Sequence, residues 1–542
     1  MIVKMRHVDL VCVSADAEAT LSGLRDLGVV HLDLSAAGGA AVAAARGEIS
    51  DAERAVRLIA KARGSGESQD LRRRSVSEVL SIAADRDAMK GELERVERDI
   101  RTYEPYGDFD PALARKLLGL GIDLSSELPP VLPERRLSEM RASRDKLVER
   151  ILVADAKIAG TDDAAILAEC PALREKMAFE QARELLASHG AVTTLSGWIP
   201  APKTDALRAA AAENGWGLLL RDPAPGEFPP TLIEPPKAFR SVKALFGGLG
   251  ISPAYDESDV SVPFMCYFSL FFAMLVGDGA YGAIFLAATI ALRKKLAREW
   301  FVLLAVFSSA TVLWGVLSNT WFGAAIPWCA DWPTVKWLAD PSYGNMMLLC
   351  FTIGVSHLML ARVWNGICRL PDSTAVAEFG WAGILLFMYF VTNSIVGIFR
   401  GVPGPMYWVF GISLVAVFAF TVKPSELKTR GAELGMLPLN VMSALGDIIS
   451  YVRLFAVGLA SVKVAENFNS MAVGLLSGSD PWWMGALKSA AMAAILLVGH
   501  GLNLVMAALS ILVHAVRLNT LEFSNHKGVS WSGFAFRPFR RG

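Results

Sequence analysis

No G-x-x-x-x-G-K-[ST] stretch occurs anywhere in the sequence, which excludes ATP binding through a phosphate loop of that kind. Cysteine is sparse. The six present (Cys12, Cys170, Cys266, Cys329, Cys350, Cys368) form no C-x-x-C pair, so neither a disulfide framework nor a zinc site is indicated, and they read as small core residues. The apolar stretch at the amino end is too short, and interrupted by Asp9, to read as a signal peptide with a small-residue cleavage site. The first 260 residues are therefore expected to stay in the cytoplasm. Net charge is also absent overall, with 53 basic and 53 acidic residues, but the two halves differ. Residues 1–260 carry 34 Lys+Arg against 41 Asp+Glu, and 261–542 carry 19 against 12.

What is abundant is apolar surface. With 53% hydrophobic residues and a mean hydropathy of +0.39 over 542 positions, the chain is too apolar for an ordinary soluble protein and too long for one domain. In the first part, MRHVDLVCV, ADAEATLSGLRDLG and VVHLDL read as strand, helix and strand, the helix closing at Gly28. Polar segments with apolar residues three and four apart follow at 42–63 with 76–104 and at 136–190, interrupted near GSGESQ. They predict long antiparallel helices with a turn-rich cap between them. VTTLSGWIP, an Ala-rich helix near Pro202 and GWGLLLRDP complete an α/β lobe built from both ends of this region.

From residue 261 apolar spans recur at 261–292, 300–320, 344–366, 379–400, 404–422, 437–474 and 484–518, several of them long enough for ~30 Å of hydrocarbon. If 261–292 crosses twice, breaking at Gly277-Asp278-Gly279, the basic loops 293–298, 366–372 and 423–430 and the tail all fall on the cytoplasmic side. Eight crossings with both termini cytoplasmic are expected. Gly277, Gly279 and Gly282 also spell G-x-G-x-x-G, but within an apolar span this reads as tight packing or a helix break.

The chemistry concentrates in the last two spans. Arg453 lies in SYVRLFAVGLA with no Asp or Glu at 449, 450, 456 or 457, although a charge near the bilayer centre costs at least ~2.5–3.5 kcal/mol. At about 100° per residue it shares a face with Ser443, Gly446, Ser450, Val457 and Ala460, mostly small residues over which another helix can dock closely. An interhelical ion pair is the plainer alternative. In the last span His500, Asn503, Ala507, Ser510, His514 and Arg517 recur three and four apart, a polar stripe suited to a hydrated path or a polar helix contact. Lys463 and Glu466 are expected to pair with each other. His357, Arg362 and Glu378 are further ionisable candidates, divided between structural pairing and an ion route.

DIISYVRLFAVGLA, GHGLN with LVHAVRLNTLEF, PAYDESD with LFFAMLVGDGAYG, and SGWIP resemble motifs of the I subunit, or subunit a, of bacterial and archaeal V/A-type rotary ATPases. The resemblance runs in order over nearly the whole chain. It implies an α+β cytoplasmic domain with a long helical hairpin at 1–260, followed by an all-α polytopic membrane domain of eight transmembrane helices at 261–542. It further implies a stator that forms ion half-channels against a proteolipid rotor ring and couples H⁺ or Na⁺ movement to ATP chemistry in a separate catalytic head. Peripheral stalk subunits are the partners implied for the cytoplasmic domain, in a prokaryotic cell membrane, with no cofactor and no nucleic acid.

In this resemblance Arg453 matches the essential stator arginine and Arg517 its companion, with the acidic partner supplied by the ring. Glu466, Glu378, His357, His500 and His514, together with Asn503 and Ser510, become candidates for lining the half-channels. Ser443, Gly446, Ser450 and Ala460 become the rotor-facing positions. The chain departs from the family in two places: only about thirty residues join the long helices where relatives have a larger lobe, and Ala507 stands where eukaryotic relatives have a glutamate. A self-contained secondary transporter with a cytoplasmic regulatory domain is the competing reading, but no internal repeat of the spans supports it.

Overall fold

The computed structural model describes residues 1–34, 38–64, 71–120, 128–327, 331–338, 342–422, 432–475 and 482–541. The basic loop 423–430, nearly all of the GSGESQ interruption and Cys329 lie outside the described residues, as does part of the turn-rich cap. The chain forms two compact units, one of residues 5–223 with 537–542 and the other of residues 1–4 with 224–536.

In the first unit, β1 (Met5–Val13) is the second-from-edge strand of a four-stranded antiparallel sheet. Its other strands are β2 (Ala187–His189), β3 (Val192–Pro200) and β4 (Gly217–Arg221), in the order β2-β3-β1-β4. β1 and β3 run in register from Met5 opposite Pro200 to Val13 opposite Val192. Alternation along β1 buries Val8, Leu10 and Cys12, which meet α1 (Ala17–Leu27) through Leu21 and Leu24. VVHLDL is expected to be a strand but contributes only a single bridge, His31 opposite Trp198. Phe539, from the far end of the chain, is buried in this same core, its amide donating to the Val30 carbonyl at 2.8 Å.

Four helices form the arm: α2 (Ala40–Arg63), α3 (Val76–Tyr103), α5 (Leu137–Ala159) and α6 (Asp163–Glu184), with α4 (Pro111–Gly119) in the joining segment, while the Ala-rich α7 (Thr204–Asn214) lies between β3 and β4 in the chain. α3 packs on α5, and α2 on α6. The segment expected as one helical stretch over 136–190 breaks at 160–162, where Asp162 caps α6 by accepting from Ala164 N at 3.1 Å. The break faces the interruption of the first leg: Arg72 N donates to Gly160 O at 2.8 Å, and Arg63 pairs with Asp163 at 2.7 Å. Both legs thus break at one level, around Ile59, Val79, Ile158 and Ile166.

The second unit is helical: α8 (Val242–Leu249), α9 (Ser261–Val276), α10 (Gly279–Ala291), α11 (Arg298–Ser318), the short α12 (Pro333–Leu338), α13 (Gly344–Arg369), α14 (Thr374–Ile395), α15 (Gly404–Phe420), α16 (Leu437–Ile449), α17 (Val452–Gly474) and α18 (Trp483–Lys527). Among the described residues five helical spans are long and apolar enough to cross a membrane: α11, α13, α14, α16 with α17, and α18. α9 and α10 meet at 120° and together make up a sixth at most. Each alone is only roughly 20–24 Å long at 1.5 Å per residue. The bend falls where glycine and aspartate predict it. Gly277 is left-handed at φ 70°, and Asp278 caps α10 by accepting from Ala280 N at 2.8 Å. α15, with 17 residues, is shorter than the five.

Ile59 is fully buried where the arm's four helices meet, and Ile59→Ala is expected to destabilise the arm by about 2–5 kcal/mol. Hydrogen exchange checks this: amides of α2 and α6 should lose protection while those of β1 and β3 keep it.

Candidate functional site

In the second unit α18 carries the buried charges Glu522 and Lys527, and its neighbours α16 and α17 carry Asp447 and Arg453 half-buried. α16 and α17 are joined at Ser450-Tyr451, so the Arg453 amide bonds back to the Ser450 carbonyl (3.3 Å) at the very start of α17. Ser443, Gly446 and Ala460 are exposed, and Ser450, Arg453 and Val457 are half-buried. The small-residue face is therefore open at both ends and partly covered around Arg453.

Arg453 does have an acidic neighbour within the chain. Glu522 of α18, 4% exposed, places Oε1 3.8 Å from Arg453 Nη1, 3.3 Å from Arg517 Nε and 3.2 Å from the Ser450 hydroxyl. Arg453 and Arg517, conspicuous separately in the sequence, are thus brought onto one carboxylate oxygen. Glu522 Oε2 and Arg453 Nη1 are buried with no hydrogen-bond partner, so charge at this cluster is under-compensated by hydrogen bonds.

Helix geometry explains why α-helical spacing does not reveal Glu522. Residues five apart on an α-helix lie about 140° apart, which would turn Glu522 away from Arg517. α18, however, contains two π-helical stretches, Ile511–Ala515 and Leu518–Phe523, whose i→i+5 bonding widens the turn and stacks position 522 near position 517. The Ser524 hydroxyl donating to the Asn519 carbonyl at 2.8 Å follows the same five-residue spacing. No residue in VRLNTLEF announces that widening.

A second cluster lies earlier on α18. His500 Nδ1 is 2.7 Å from the Tyr281 hydroxyl and its Nε2 3.2 Å from Asn469 Oδ1. Asn503 is fully buried: its amide donates to the Tyr281 hydroxyl (3.1 Å) and the Ser461 carbonyl (2.9 Å), and it accepts from the Ser461 hydroxyl (3.0 Å). His500 and Asn503 therefore tie α18 to α10 and α17. Ser510 instead donates to its own helix at Met506 O, and His514 lies half-buried one turn before Arg517.

The third cluster joins α13, α14, α16 and the end of α18. Glu378, 5% exposed, receives Arg362 Nη1 at 3.1 Å and Arg369 Nη1 at 2.8 Å, the pairing half of its sequence expectation. Arg362 Nε donates to His526 Nδ1 at 3.1 Å, and His526 Nε2 lies 3.0 Å from Asp447 Oδ2. Since a guanidinium only donates, Nδ1 must accept, so His526 is the neutral tautomer with its proton on Nε2 toward Asp447. Lys463 and Glu466 pair at 2.6 Å as expected.

Two cavities flank Arg453 along the α16–α17 span. One of about 570 Å³ is lined by Arg362, Asn440, Ser443, Asp447 and His526, on the side preceding Arg453. The other, of about 360 Å³, is lined by residues that include Gly277, Gly458, Val462, Lys463 and Glu466, toward the following side. His357, by contrast, is fully buried between aromatic rings and lines neither. Asp447, His526, Tyr281 and Glu522 are the residues that spacing along single helices passed over, since the first three take partners from other helices and Glu522 reaches Arg517 only through the widened π-helical turn. Among the described residues no group of three or more His, Cys, Asp or Glu could hold a metal ion.

No protein-family model matches the chain. Curated relatives do. The V-type ATP synthase subunit I of Borreliella burgdorferi is 34% identical over 372 residues, 64% of this chain and 60% of that protein. The V-type ATP synthase subunit I 1 of Treponema pallidum is 27% identical over an alignment of 631 positions, gaps included, that covers the whole of both chains. The A-type ATP synthase subunit I of Archaeoglobus fulgidus is 25% identical over 404 residues, 64% of this chain and 58% of that protein. The matched part thus spans about three fifths of the first and third relatives and all of the second.

Asn503→Leu would leave the Tyr281 hydroxyl and the Ser461 carbonyl without their buried partner, and is expected to destabilise the second unit by about 1–3 kcal/mol. Thermal unfolding of the detergent-solubilised protein, compared with Ser510→Ala as a surface control, checks this.

Proposed function

This chain is a homologue of the subunit I proteins of V-type and A-type ATP synthases, and on that premise we propose that it is the ion-translocating stator of such a rotary complex. The observation that carries the proposal is the placement of Arg453. It sits half-buried on a face whose small residues Ser443, Gly446 and Ala460 are exposed, with a cavity to either side of it along one span, one lined mostly by polar groups and the other mostly by apolar ones with Lys463 and Glu466 among them.

The chemistry follows from the residues. A rotor carboxylate arriving on the face of Ser443, Gly446, Ser450 and Ala460 would meet Arg453 at close range, where an opposite charge favours its ionised form and drives off its H⁺ or Na⁺. Arginine suits the position because it stays charged, whereas a buried lysine readily shifts its pKa and could itself carry a proton. Glu522 holds Arg453 and Arg517 while no rotor carboxylate is present. At 3.8 Å its contact with Arg453 Nη1 is an ion pair without a hydrogen bond, so an arriving carboxylate would compete with a loose partner. The fixed positive charge between the cavities blocks direct passage from one to the other. Ions would therefore cross only on the ring.

The larger cavity, with Asp447, His526 and Arg362 at its wall, serves as one half-channel, and the cavity reaching Glu466 as the other. Each charge crossing 100 mV is worth about 2.3 kcal/mol, which ring rotation would exchange with ATP chemistry in a separate head. The partners in this reading are a proteolipid ring, peripheral stalk subunits on the first unit and the lipid of a prokaryotic cell membrane. Eight crossings, with α9 and α10 counted separately, would leave both termini on the cytoplasmic side.

Arg453→Ala and Arg453→Lys are both expected to abolish ATP-driven ion uptake while a tagged chain still copurifies with a small proteolipid and ATPase subunits. Uptake at the normal rate in either variant, or a chain that purifies alone under conditions preserving a known complex, would refute the assignment.

A further inference from the structure

His357, on α13, is fully enclosed near the arginines, at 0% exposure. Its ring is stacked between Tyr267 of α9 (centroids 4.0 Å apart, planes at 24°) and Phe523 of α18 (4.4 Å, 10°). Its Nδ1 is 2.9 Å from the hydroxyl of Tyr451, itself fully buried in the joint between α16 and α17. Nε2 has no hydrogen-bond partner. One imidazole therefore touches side chains from α9, from the α16–α17 joint and from the π-helical turn of α18.

Those contacts fall next to the charged cluster in sequence. Tyr451 precedes Arg453 by two residues, and Phe523 directly follows Glu522. The azimuth of the first turn of α17 depends on where the Tyr451 ring is seated, and the widened turn of α18 depends on where Phe523 is held. The seat for Tyr451 is closely fitted: a Cβ added at Gly354, one turn before His357 on α13, would come 2.6 Å from Tyr451 Cγ.

We propose that His357 is a positioning residue that fixes the geometry of Arg453 against Glu522 and Arg517 through its hydrogen bond to Tyr451 and its stack on Phe523. This rests on the stator reading above and gives His357 a role that needs no contact with the ion path. It also accounts for an imidazole with one idle buried nitrogen: both ring faces and Nδ1 are used, and no aliphatic side chain supplies all three. Phenylalanine supplies the faces alone, and Tyr451→Phe removes the same hydrogen bond from the other side.

The test uses the complex purified through the tagged chain and reconstituted in vesicles, reading ions moved per ATP hydrolysed together with the amount of assembled complex. His357→Phe and Tyr451→Phe are each expected to lower ions per ATP about ten- to a hundredfold at unchanged assembly, because misplacing a reacting group by even an ångström has losses of that order. The double variant should be no worse than either single one, since both remove one bond. Losses that multiply in the double variant, a normal ratio in either single one, or a fall in assembled complex with an unchanged ratio would each overturn the assignment. Arg453→Ala in the same preparation separates the two levels: if it pumps normally the stator reading itself fails, and if it is inactive the result for the two single variants decides the role of His357 alone.

Discussion

A guanidinium cannot escape burial by giving up its proton, so wherever the fold holds one, compensating charge must be brought to it. Arg453 imposes that requirement on the second unit. Its nearest acid, Glu522, is 69 positions away in sequence, and it arrives because α18 runs alongside α17 and its turn is widened between 518 and 523. The same carboxylate oxygen accepts from Arg517 and Ser450, so three helical segments converge on one atom. Around it the fold supplies the support such a cluster needs: Tyr451 and His357 behind the joint, Phe523 beside the carboxylate, and Ala515 and Leu518 buried in the adjoining core.

The compensation is incomplete, and that gives the cluster its potential use. Two arginines share one acid, Glu522 Oε2 and Arg453 Nη1 lack hydrogen bonds, and Arg453 faces the open small-residue side of α16 and α17. A fully paired ion triad would attract nothing further, and an unpaired arginine would carry the whole desolvation penalty whenever no partner was present. A net positive cluster with a resident carboxylate lies between these limits.

Much of the fold was legible because period and punctuation agreed. β1 alternates from Val8 to Cys12, the arm helices keep their three- and four-residue spacing, and Gly277-Asp278 marks the bend between α9 and α10. VVHLDL misled because an alternating apolar run meets the requirement for a strand, while here it needs to pair only at His31. The break at 160–162 was hidden inside continuous helical periodicity, since what ends the helix there is a cross-leg contact with Arg72 and Arg63. Arg453 and Arg517 stood out because a charge in an apolar run is conspicuous. Glu522 and Asp447 did not, since an acid near the end of a span reads as ordinary solvation.

The helical wheel failed at one identifiable place, and the reason bears on how the site is built. From 500 to 507 the three- and four-residue spacing holds, and it puts Asn503 and Ala507 against Tyr281 and Val276. Beyond Ser510 the two π-helical stretches delay the rotation, so the face that carries His500 and Asn503 is not the face that carries Glu522. One helix thereby serves two tasks that a regular α-helix of the same sequence would put on a single stripe. Its first half locks against α10 and α17 with neutral hydrogen bonds, and its second half turns a carboxylate and an arginine toward Arg453. A π-helical turn is less favourable than the α-helical turns around it, and here the stack of Phe523 on His357 and the buried Glu522 contacts supply the interactions that hold it.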